Sequence, residues 1–327
     1  MTTEKSSIRK IAFFSTSKCN SKCVMCNIHA EKPTKDLTPK QLKKILSDPL
    51  FKGVIDVGVS GGEPSLHKNW KEIYDTLCSS LLNLRAIALT TNCVNSRKTI
   101  DIIQYYYNQS KKRNIKFSLC ISLDGVGEIH DKVRGIKGNF KSAMNVIDWL
   151  KYNKINFTCA CTVSKINVLH LEALREFCDN NKININYRLA SKINRLHNNN
   201  SQTYHQLSKE EKKFLINFLL EEIHRQKRSL LKKITFIVNK KKIKKDKIYQ
   251  HIISILKGNK RTSSCPHSAQ EAVCLSNNGD LMYCSVASKI IGNCLKDSAK
   301  NIYLSNFSHL REIKREKCKD CSHDIIK

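Results

Sequence analysis

The chain has 327 residues, 40% of them hydrophobic, which is enough for a substantial core and suggests one large domain with a smaller one appended. No stretch reaches the ~18 apolar residues of a membrane span, and residues 1–18 contain no signal-peptide cleavage site. These features exclude a disordered tail, a membrane-embedded protein and an exported one. We therefore expect a cytoplasmic protein with no membrane partner.

The net charge of +30 is spread along the whole chain, which indicates a compositional bias more than a patch that binds nucleic acid. One basic segment stands out. Residues 197–263 contain 17 Lys or Arg and 5 Asp or Glu, a net charge of +12. Such a run is typical of a solvated face, and the alternative is a surface that attracts an acidic substrate or partner.

Through the first 190 residues, apolar runs rich in Val, Ile, Phe or Thr alternate with amphipathic stretches. The apolar runs predict six strands, at 9–16, 54–61, 84–92, 115–124, 156–163 and 183–190. The amphipathic stretches predict five helices, at 38–47, 67–81, 97–108, 139–151 and 167–181. Strands that alternate with crossover helices form a parallel sheet, so the fold class is α/β. Periodicity leaves open whether this sheet is open or curved into a partial barrel.

The pattern changes after residue 190. Helical spacing recurs at 207–227 and near 247–257, and from residue 265 the chain has short strands and a turn at 277–280 that is typical of a hairpin. A final helix precedes Cys318. We therefore expect three parts, which are a βα domain at 1–196, a basic helical linker at 197–263 and a cysteine-rich domain at 264–327.

Fifteen cysteines occur in this chain without an export signal, which argues against disulfides and favours free thiols or metal ligands. Three of them, Cys19, Cys23 and Cys26, follow the first predicted strand. Their spacing suits three corners of one iron–sulfur cubane, which is normally held by four thiolates. The fourth iron then has either a distant protein ligand or a ligand that is not protein, and the second option makes the chain an enzyme. Closely spaced cysteines also bind zinc, so this loop alone does not decide the metal.

Glycine and polar residues follow the next three predicted strands. They are Gly61, Gly62 and Glu63 after the second strand, Asn92 after the third, and Ser122, Asp124 and Arg134 after the fourth. Because parallel strands bind ligands at their carboxyl ends, we expect these residues to surround one site together with the cysteine loop. The two glycines would let the backbone approach a ligand closely.

These four ordered motifs together resemble those of the radical S-adenosylmethionine superfamily, over roughly residues 9–190. The resemblance implies a partial (β/α)6 TIM-like barrel. It also implies that Cys19, Cys23 and Cys26 hold a [4Fe-4S] cluster whose open iron is chelated by S-adenosylmethionine. Two positions depart from the usual pattern, because Met25 replaces an aromatic residue and Cys93 replaces a glycine.

The same resemblance assigns seven residues to S-adenosylmethionine binding: Gly61, Gly62, Glu63, Asn92, Ser122, Asp124 and Arg134. Residues 61–63 are implied to contact the methionine amino group. Ser122 and Asp124 are implied to face the ribose or the carboxylate, and Arg134 to supply a cation for the carboxylate. No catalytic acid or base is assigned, because the superfamily uses different residues for different substrates.

A second cysteine set lies near the carboxyl terminus and consists of Cys265, Cys284, Cys318 and Cys321. Its sequence context resembles the twitch domain, a shortened form of the SPASM auxiliary-cluster domain, and implies a second [4Fe-4S] cluster. Four thiolates close the cluster, which suits electron transfer and not cofactor cleavage. A structural zinc site is the alternative. With either metal, Cys274 or Cys294 could replace one of the four ligands.

The resemblance implies an oxidoreductase-type enzyme that cleaves S-adenosylmethionine reductively to a 5'-deoxyadenosyl radical and abstracts a substrate hydrogen. An external donor such as flavodoxin or ferredoxin would supply the electron. The basic segment favours a peptide substrate, since an acidic leader would be drawn to it. Oxidation of a sugar or aminocyclitol is the alternative. A third class, a non-catalytic iron–sulfur or zinc protein that binds nucleic acid, has no use for the glycine loop.

Overall fold

The computed structural model describes residues 8–198, 204–231, 240–261 and 265–322. Its first part alternates strands and helices as predicted. The strands are β1 (Lys10–Thr16), β2 (Asp56–Gly61), β3 (Ala86–Thr91), β4 (Lys116–Ser122), β5 (Thr158–Val163) and β6 (Ile185–Leu189). The helices are α1 (Pro39–Leu46), α2 (Trp70–Ser80), α3 (Ser96–Lys112), α4 (Glu128–Arg134), α5 (Asn139–Tyr152) and α6 (Leu171–Asn180). The short helix α4 is an addition that the periodicity did not predict.

The six strands are parallel and neighbour one another in chain order. In the register of the sheet, Phe13 lies beside Val59, Val59 beside Leu89, and Leu89 beside Leu119. All four side chains are at most 4% exposed, so this row forms part of the main hydrophobic core. Burial of such a row stabilises the sheet and fixes its register, because a shift by one residue would turn the row to the other face.

The carboxyl-terminal part continues the same sheet. Strand β7 (Ala272–Leu275) pairs in parallel with β1, and β8 (Asp280–Met282) returns antiparallel to β7, so the hairpin predicted at 277–280 is confirmed. A short strand β9 (Gly292–Asn293) pairs with β8. The sheet thus has nine strands in the described residues, in the order β6-β5-β4-β3-β2-β1-β7-β8-β9.

Two long helices cover the opposite edge of the sheet. They are α7 (Lys209–Leu231) and α8 (Lys240–Leu256), in the segment predicted to be a helical linker. The Tyr187 backbone N–H of β6 donates to the Tyr249 hydroxyl of α8 at 3.2 Å, and the Phe218 ring of α7 meets the Tyr187 ring edge-on. The helices therefore cover an edge strand that would otherwise be open to pairing with another chain. Residues 199–203, 232–239 and 262–264 of the basic segment lie outside the described residues.

The chain then ends in two helices, α9 (Ala299–Ser305) and α10 (Phe307–Glu316), followed by a single 3₁₀ turn at Cys318–Asp320. The segment that follows α8 contacts this turn, because the Arg261 backbone N–H donates to the Lys319 carbonyl oxygen at 2.6 Å. None of the helices in the described ranges has the length and apolar character that a membrane crossing requires.

Candidate functional site

Cys19, Cys23 and Cys26 lie in the cysteine loop, residues 18–27, which follows the carboxyl end of β1. One side of this loop is hydrogen-bonded to the loop that follows β2. The Gly62 N–H donates to the Thr16 carbonyl oxygen at 2.7 Å, and the Glu63 N–H donates to the Lys18 carbonyl oxygen at 2.8 Å. A methyl group on Gly62 would overlap the Lys18 carbonyl oxygen. Position 62 therefore has to be glycine for the two loops to approach this closely.

The end of α4 anchors the other side of the same loop. The Lys22 N–H donates to the Arg134 carbonyl oxygen, and the Val24 N–H donates to the Val133 carbonyl oxygen, both at 3.0 Å. Gly135 ends α4 with φ +65°, and a methyl group there would overlap the Lys22 carbonyl oxygen. The cysteine loop is thus fixed by backbone hydrogen bonds on both sides.

The three thiols of this loop are partly buried, and burial raises the pKa of Cys19 to about 12 and also raises that of Cys26. Two donors approach the sulfur atoms. Asn92 Nδ2 lies 3.8 Å from Cys19 Sγ, and Arg134 Nη1 lies 3.7 Å from Cys23 Sγ. A high thiol pKa means that deprotonation needs a compensating positive charge, which a bound metal supplies. Three thiols in one loop that is hydrogen-bonded on both sides are the donor type that an iron–sulfur cluster takes.

Glu63 is 1% exposed, and its carboxylate is held by three donors from two loops. Oε1 accepts from the Thr91 hydroxyl at 3.0 Å and from the Ser65 N–H at 3.2 Å, and Oε2 accepts from the Asn92 N–H at 2.8 Å. Burial raises the pKa of Glu63, although these hydrogen bonds oppose the shift. Glu63 therefore ties the carboxyl end of β3 to the loop after β2.

Asp124 is fully buried and lies beside Arg134. Its Oδ2 is 2.5 Å from Arg134 Nε, and its Oδ1 accepts from the Thr162 N–H of β5 at 2.7 Å. Burial alone would lower the pKa of Arg134, but Asp124 and the Cys23 thiol raise it overall. The guanidinium is therefore held charged, with Nε on Asp124 and Nη1 directed at Cys23.

A buried chain of polar groups joins the ends of β3 and β4. His130 Nδ1 accepts from the Asp124 N–H at 3.0 Å, so a neutral ring has its proton on Nε2, which lies 3.2 Å from Asn139 Oδ1. Asn139 Nδ2 in turn donates to the Asn92 carbonyl oxygen at 3.0 Å. No motif or spacing in the sequence marks His130 or Asn139, because this chain of hydrogen bonds forms only once the strands are aligned.

The other predicted residues lie at the same edge. Gly61 ends β2 and Ser122 ends β4, and Ser122 is 9% exposed. Cys93, at the position where the superfamily commonly has glycine, has φ +57°. This left-handed conformation costs a non-glycine residue about 1–2 kcal/mol. The turn thus keeps the shape that glycine favours, despite the substitution.

A cavity of about 380 Å³ opens beside these loops. It extends from the loop after β2 to the carboxyl-terminal hairpin. The residues that line it include Phe14, Gly61, Gly62, Arg195, Asn277 and Met282. Arg195 is a further residue that the sequence analysis did not identify. It lies beyond β6, in a segment without any motif.

A family model described as the Radical SAM superfamily matches residues 13–187, more than half of the chain. The chain belongs to the radical SAM superfamily. Membership brings with it S-adenosylmethionine and a [4Fe-4S] cluster as cofactors. The residues assigned to these groups by resemblance are the ones assembled at the carboxyl edge of β1 to β4.

Several curated proteins resemble this radical SAM chain over about half of its length. The sporulation killing factor maturation protein SkfB of Bacillus subtilis is 29% identical over 50% of this chain and 38% of its own length. The subtilosin biosynthesis protein AlbA of the same organism is 29% identical over 49% and 34%. The Fe-coproporphyrin III synthase of Methanosarcina barkeri is 27% identical over 51% and 40%. The match thus spans well under half of each of these relatives.

Solved structures share the fold over most of the chain. The structure of anSMEcpe with bound AdoMet has a TM-score of 0.63, with 16% identity, and covers 96% of this chain and 88% of that one. Streptococcus suis SuiB bound to the precursor peptide SuiA has a TM-score of 0.62, with 13% identity, over 91% and 65%. The similarity confirms the predicted partial-barrel fold. It also covers the carboxyl-terminal part of the chain.

The second cysteine set of this radical SAM protein lines a separate cavity of about 240 Å³, between the segments that flank the hairpin and the region of α10 and the turn after it. All four predicted cysteines line it: Cys265, Cys284, Cys318 and Cys321. Burial and the three neighbouring thiols raise the pKa of Cys318 to about 11. Cys274 and Cys294 are not among the residues that line this cavity. Among the described residues, no three His, Cys, Asp or Glu side chains are arranged to hold one metal ion.

We expect Gly62→Ala to reduce the iron bound after anaerobic reconstitution, because the methyl group would push against the Lys18 carbonyl and displace the cysteine loop. Gly58→Ala in β2 is the matched control, since nothing lies within 4 Å of a methyl group at that position. Gly58→Ala should bind as much iron as the wild type. Equal iron per chain in the two variants would contradict the tight contact between the loops.

His130 should make stability depend on pH. Burial lowers its pKa to about 4, whereas an unfolded chain has a histidine pKa of about 6.5. The stability that the neutral ring contributes is therefore fully present at a pH above the pKa of the unfolded chain. It is lost as the pH falls towards the pKa of the folded protein. Between about pH 7 and pH 5.5, the unfolding free energy of the wild type should fall by about 1 kcal/mol more than that of His130→Gln. Urea unfolding of the metal-free protein measures this, and parallel pH profiles would argue against a buried neutral ring.

Proposed function

We propose that this radical SAM protein cleaves S-adenosylmethionine reductively and uses the product radical to remove a hydrogen atom from a peptide. The observation that carries the proposal is the cysteine loop, which backbone hydrogen bonds hold between the Gly62–Glu63 loop and the end of α4. The bound cofactors would supply the chemistry by reducing the sulfonium to methionine and a 5'-deoxyadenosyl radical. The protein supplies position and exclusion of water.

We assign the cofactor contacts as follows. Cys19, Cys23 and Cys26 are the three cluster ligands. The backbone of Gly61 and Gly62 faces the methionine amino group. Glu63 does not contact the cofactor but holds Thr91 and Asn92 in place. These assignments agree with the burial of Glu63, whose carboxylate already has three protein donors.

At the other side of the site, Arg134 is the cation for the cofactor carboxylate, and Ser122 lies beside the carboxylate or ribose. Asp124 does not contact the cofactor, since its two oxygens are occupied by Arg134 and by the Thr162 N–H; it positions Arg134 instead. A charged partner fixes the guanidinium in one orientation, so that less conformational freedom is lost when the cofactor binds.

A peptide is the substrate class that we favour. Two of the curated relatives, SkfB and AlbA, are named for the maturation of a killing factor and the biosynthesis of a bacteriocin, and SuiB was solved with a precursor peptide. The cavity beside the glycine loop reaches the carboxyl-terminal hairpin, which gives an extended substrate room to lie along it. A small-molecule substrate is the alternative, because another curated relative is named as a porphyrin synthase. Hydrogen removal from a small molecule would correct the assignment of a peptide substrate. A reduced flavodoxin or ferredoxin is the proposed electron donor.

The test of the proposed activity is metal content together with cofactor cleavage. Anaerobically reconstituted protein should hold about eight irons, as two [4Fe-4S] clusters require, and should release 5'-deoxyadenosine slowly when given dithionite and S-adenosylmethionine. Replacement of Cys19, Cys23 and Cys26 by alanine should leave about four irons and no 5'-deoxyadenosine. Unchanged iron in the triple variant would remove the basis of the proposal.

We also propose that Cys265, Cys284, Cys318 and Cys321 hold a second [4Fe-4S] cluster that accepts the electron left on the substrate. A double Cys318→Ala and Cys321→Ala variant should then keep about four irons and still form 5'-deoxyadenosine, because cleavage takes place at the other cluster. Cys294→Ala, at a cysteine outside the cavity, is the control and should keep the full iron content. One zinc per chain in the wild type, with no second cluster, would show that this site is structural instead.

A further inference from the structure

Arg195 belongs to the short 3₁₀ helix Asn194–Leu196, which follows β6. Its guanidinium carbon lies 4.0 Å from the centre of the Phe14 ring on β1, and its Nη1 donates to the Gly61 carbonyl oxygen at 3.4 Å, near the long limit for a hydrogen bond. The ring contact fixes the plane of the guanidinium. The group therefore lies in the wall of the cavity of about 380 Å³, next to the glycine loop.

No carboxylate balances this charge in the part of the chain that the structure describes. The groups that act on the Arg195 charge are the thiols of Cys26 and Cys274, and its Nε is buried without a hydrogen-bond partner. Burial accordingly lowers the pKa of Arg195. Arg134 differs, since its Nε lies against Asp124. Arg195 is half-buried as a residue, but its guanidinium has no carboxylate beside it at the cavity wall, which points to an anion that arrives with a ligand.

The other charges around the cavity agree with an anionic ligand. Lys32 and Lys289 line it and are exposed at its rim. Two carboxylates line it as well: Glu31, 3.9 Å from the Nδ1 of His197 at the same cavity, and Asp280, which accepts from Asn293 Nδ2 at 2.8 Å. Three cations, Arg195, Lys32 and Lys289, outnumber these two carboxylates by one, so the cavity lining keeps a net positive charge that favours an anion.

We propose that Arg195 binds a carboxylate of the substrate, so that the peptide presents an acidic group inside this cavity. This inference rests on the proposed function and deepens it, because Arg134 is already assigned to the carboxylate of the cofactor. The guanidinium at the cavity wall offers charged N–H donors, which suit a carboxylate. The carboxylate could belong to a Glu or Asp side chain or to a peptide carboxyl terminus.

Three synthetic probes separate these sources. They are acetyl-Gly-Glu-Gly-amide with a side-chain carboxylate, acetyl-triglycine with a terminal carboxylate, and acetyl-Gly-Gln-Gly-amide with neither. Each is titrated by saturation-transfer NMR into the reconstituted full-length protein with S-adenosylmethionine present. We expect at least one carboxylate probe to bind about tenfold or more tightly than the neutral one, as a hydrogen bond to a charged group implies. The stronger of the two identifies the source.

Arg195→Gln should abolish the preference for a carboxylate, whereas Arg195→Lys should keep part of it. Lys289→Gln removes one positive charge at the exposed rim and should leave the preference largely intact. A wild type that binds all three probes alike overturns the inference without any variant. So does an Arg195→Gln protein that keeps the preference and alters only the electron paramagnetic resonance signal of the cluster, since the arginine would then serve the cluster.

The same samples distinguish this inference from the proposed function. Protein that forms 5'-deoxyadenosine but shows no preference among the probes rejects only the role of Arg195. Protein that prefers a carboxylate but forms no 5'-deoxyadenosine under reducing conditions rejects the proposed activity, and the inferred substrate role falls with it.

Discussion

The site depends on a backbone contact, in which the cysteine loop is hydrogen-bonded to the Gly62–Glu63 loop on one side and to the end of α4 on the other. Each such hydrogen bond contributes only about 0.5–1.5 kcal/mol. Their value lies in position, because they hold three thiols in place before any metal arrives. The contact also explains the glycines, since a side chain at position 62 or 135 would meet a carbonyl oxygen of the loop.

Charge is distributed unevenly around this loop. Glu63 and Asp124 are both buried, yet Glu63 is satisfied by neutral donors and Asp124 by an arginine. Glu63 therefore organises the backbone, while Asp124 fixes a cation beside the thiols. Arg195 lacks such a partner among the described residues. Arg134 is thus oriented by a carboxylate of the protein. For Arg195, the inferred partner is a carboxylate of the substrate.

The carboxyl-terminal hairpin shares its sheet with β1, and this pairing joins the two cysteine sets in one framework. Side-chain contacts reinforce it. Asn277 of the hairpin turn donates to Thr34 at 2.9 Å and to Asp36 at 2.8 Å, in the segment that follows the cysteine loop. The segment after α8 adds a second link, because the Arg261 backbone N–H donates to Lys319 in the turn that bears Cys318. A shared framework keeps the separation of the two sets constant.

The sequence by itself determined the repeating βα pattern, the hairpin, the two cysteine sets and the residues at the carboxyl ends of β2 to β4. These features are local, because periodicity and motif spacing depend on residues that are near one another in the chain. Tertiary structure alone decided that β7 joins β1, that Glu63 and Asp124 face inward to protein donors, and that His130 and Asn139 connect two strands. It also brought Arg195 to Phe14 and Gly61, across more than a hundred residues. Such contacts depend on which strands become neighbours and on which side chains are buried, and a spacing rule contains neither.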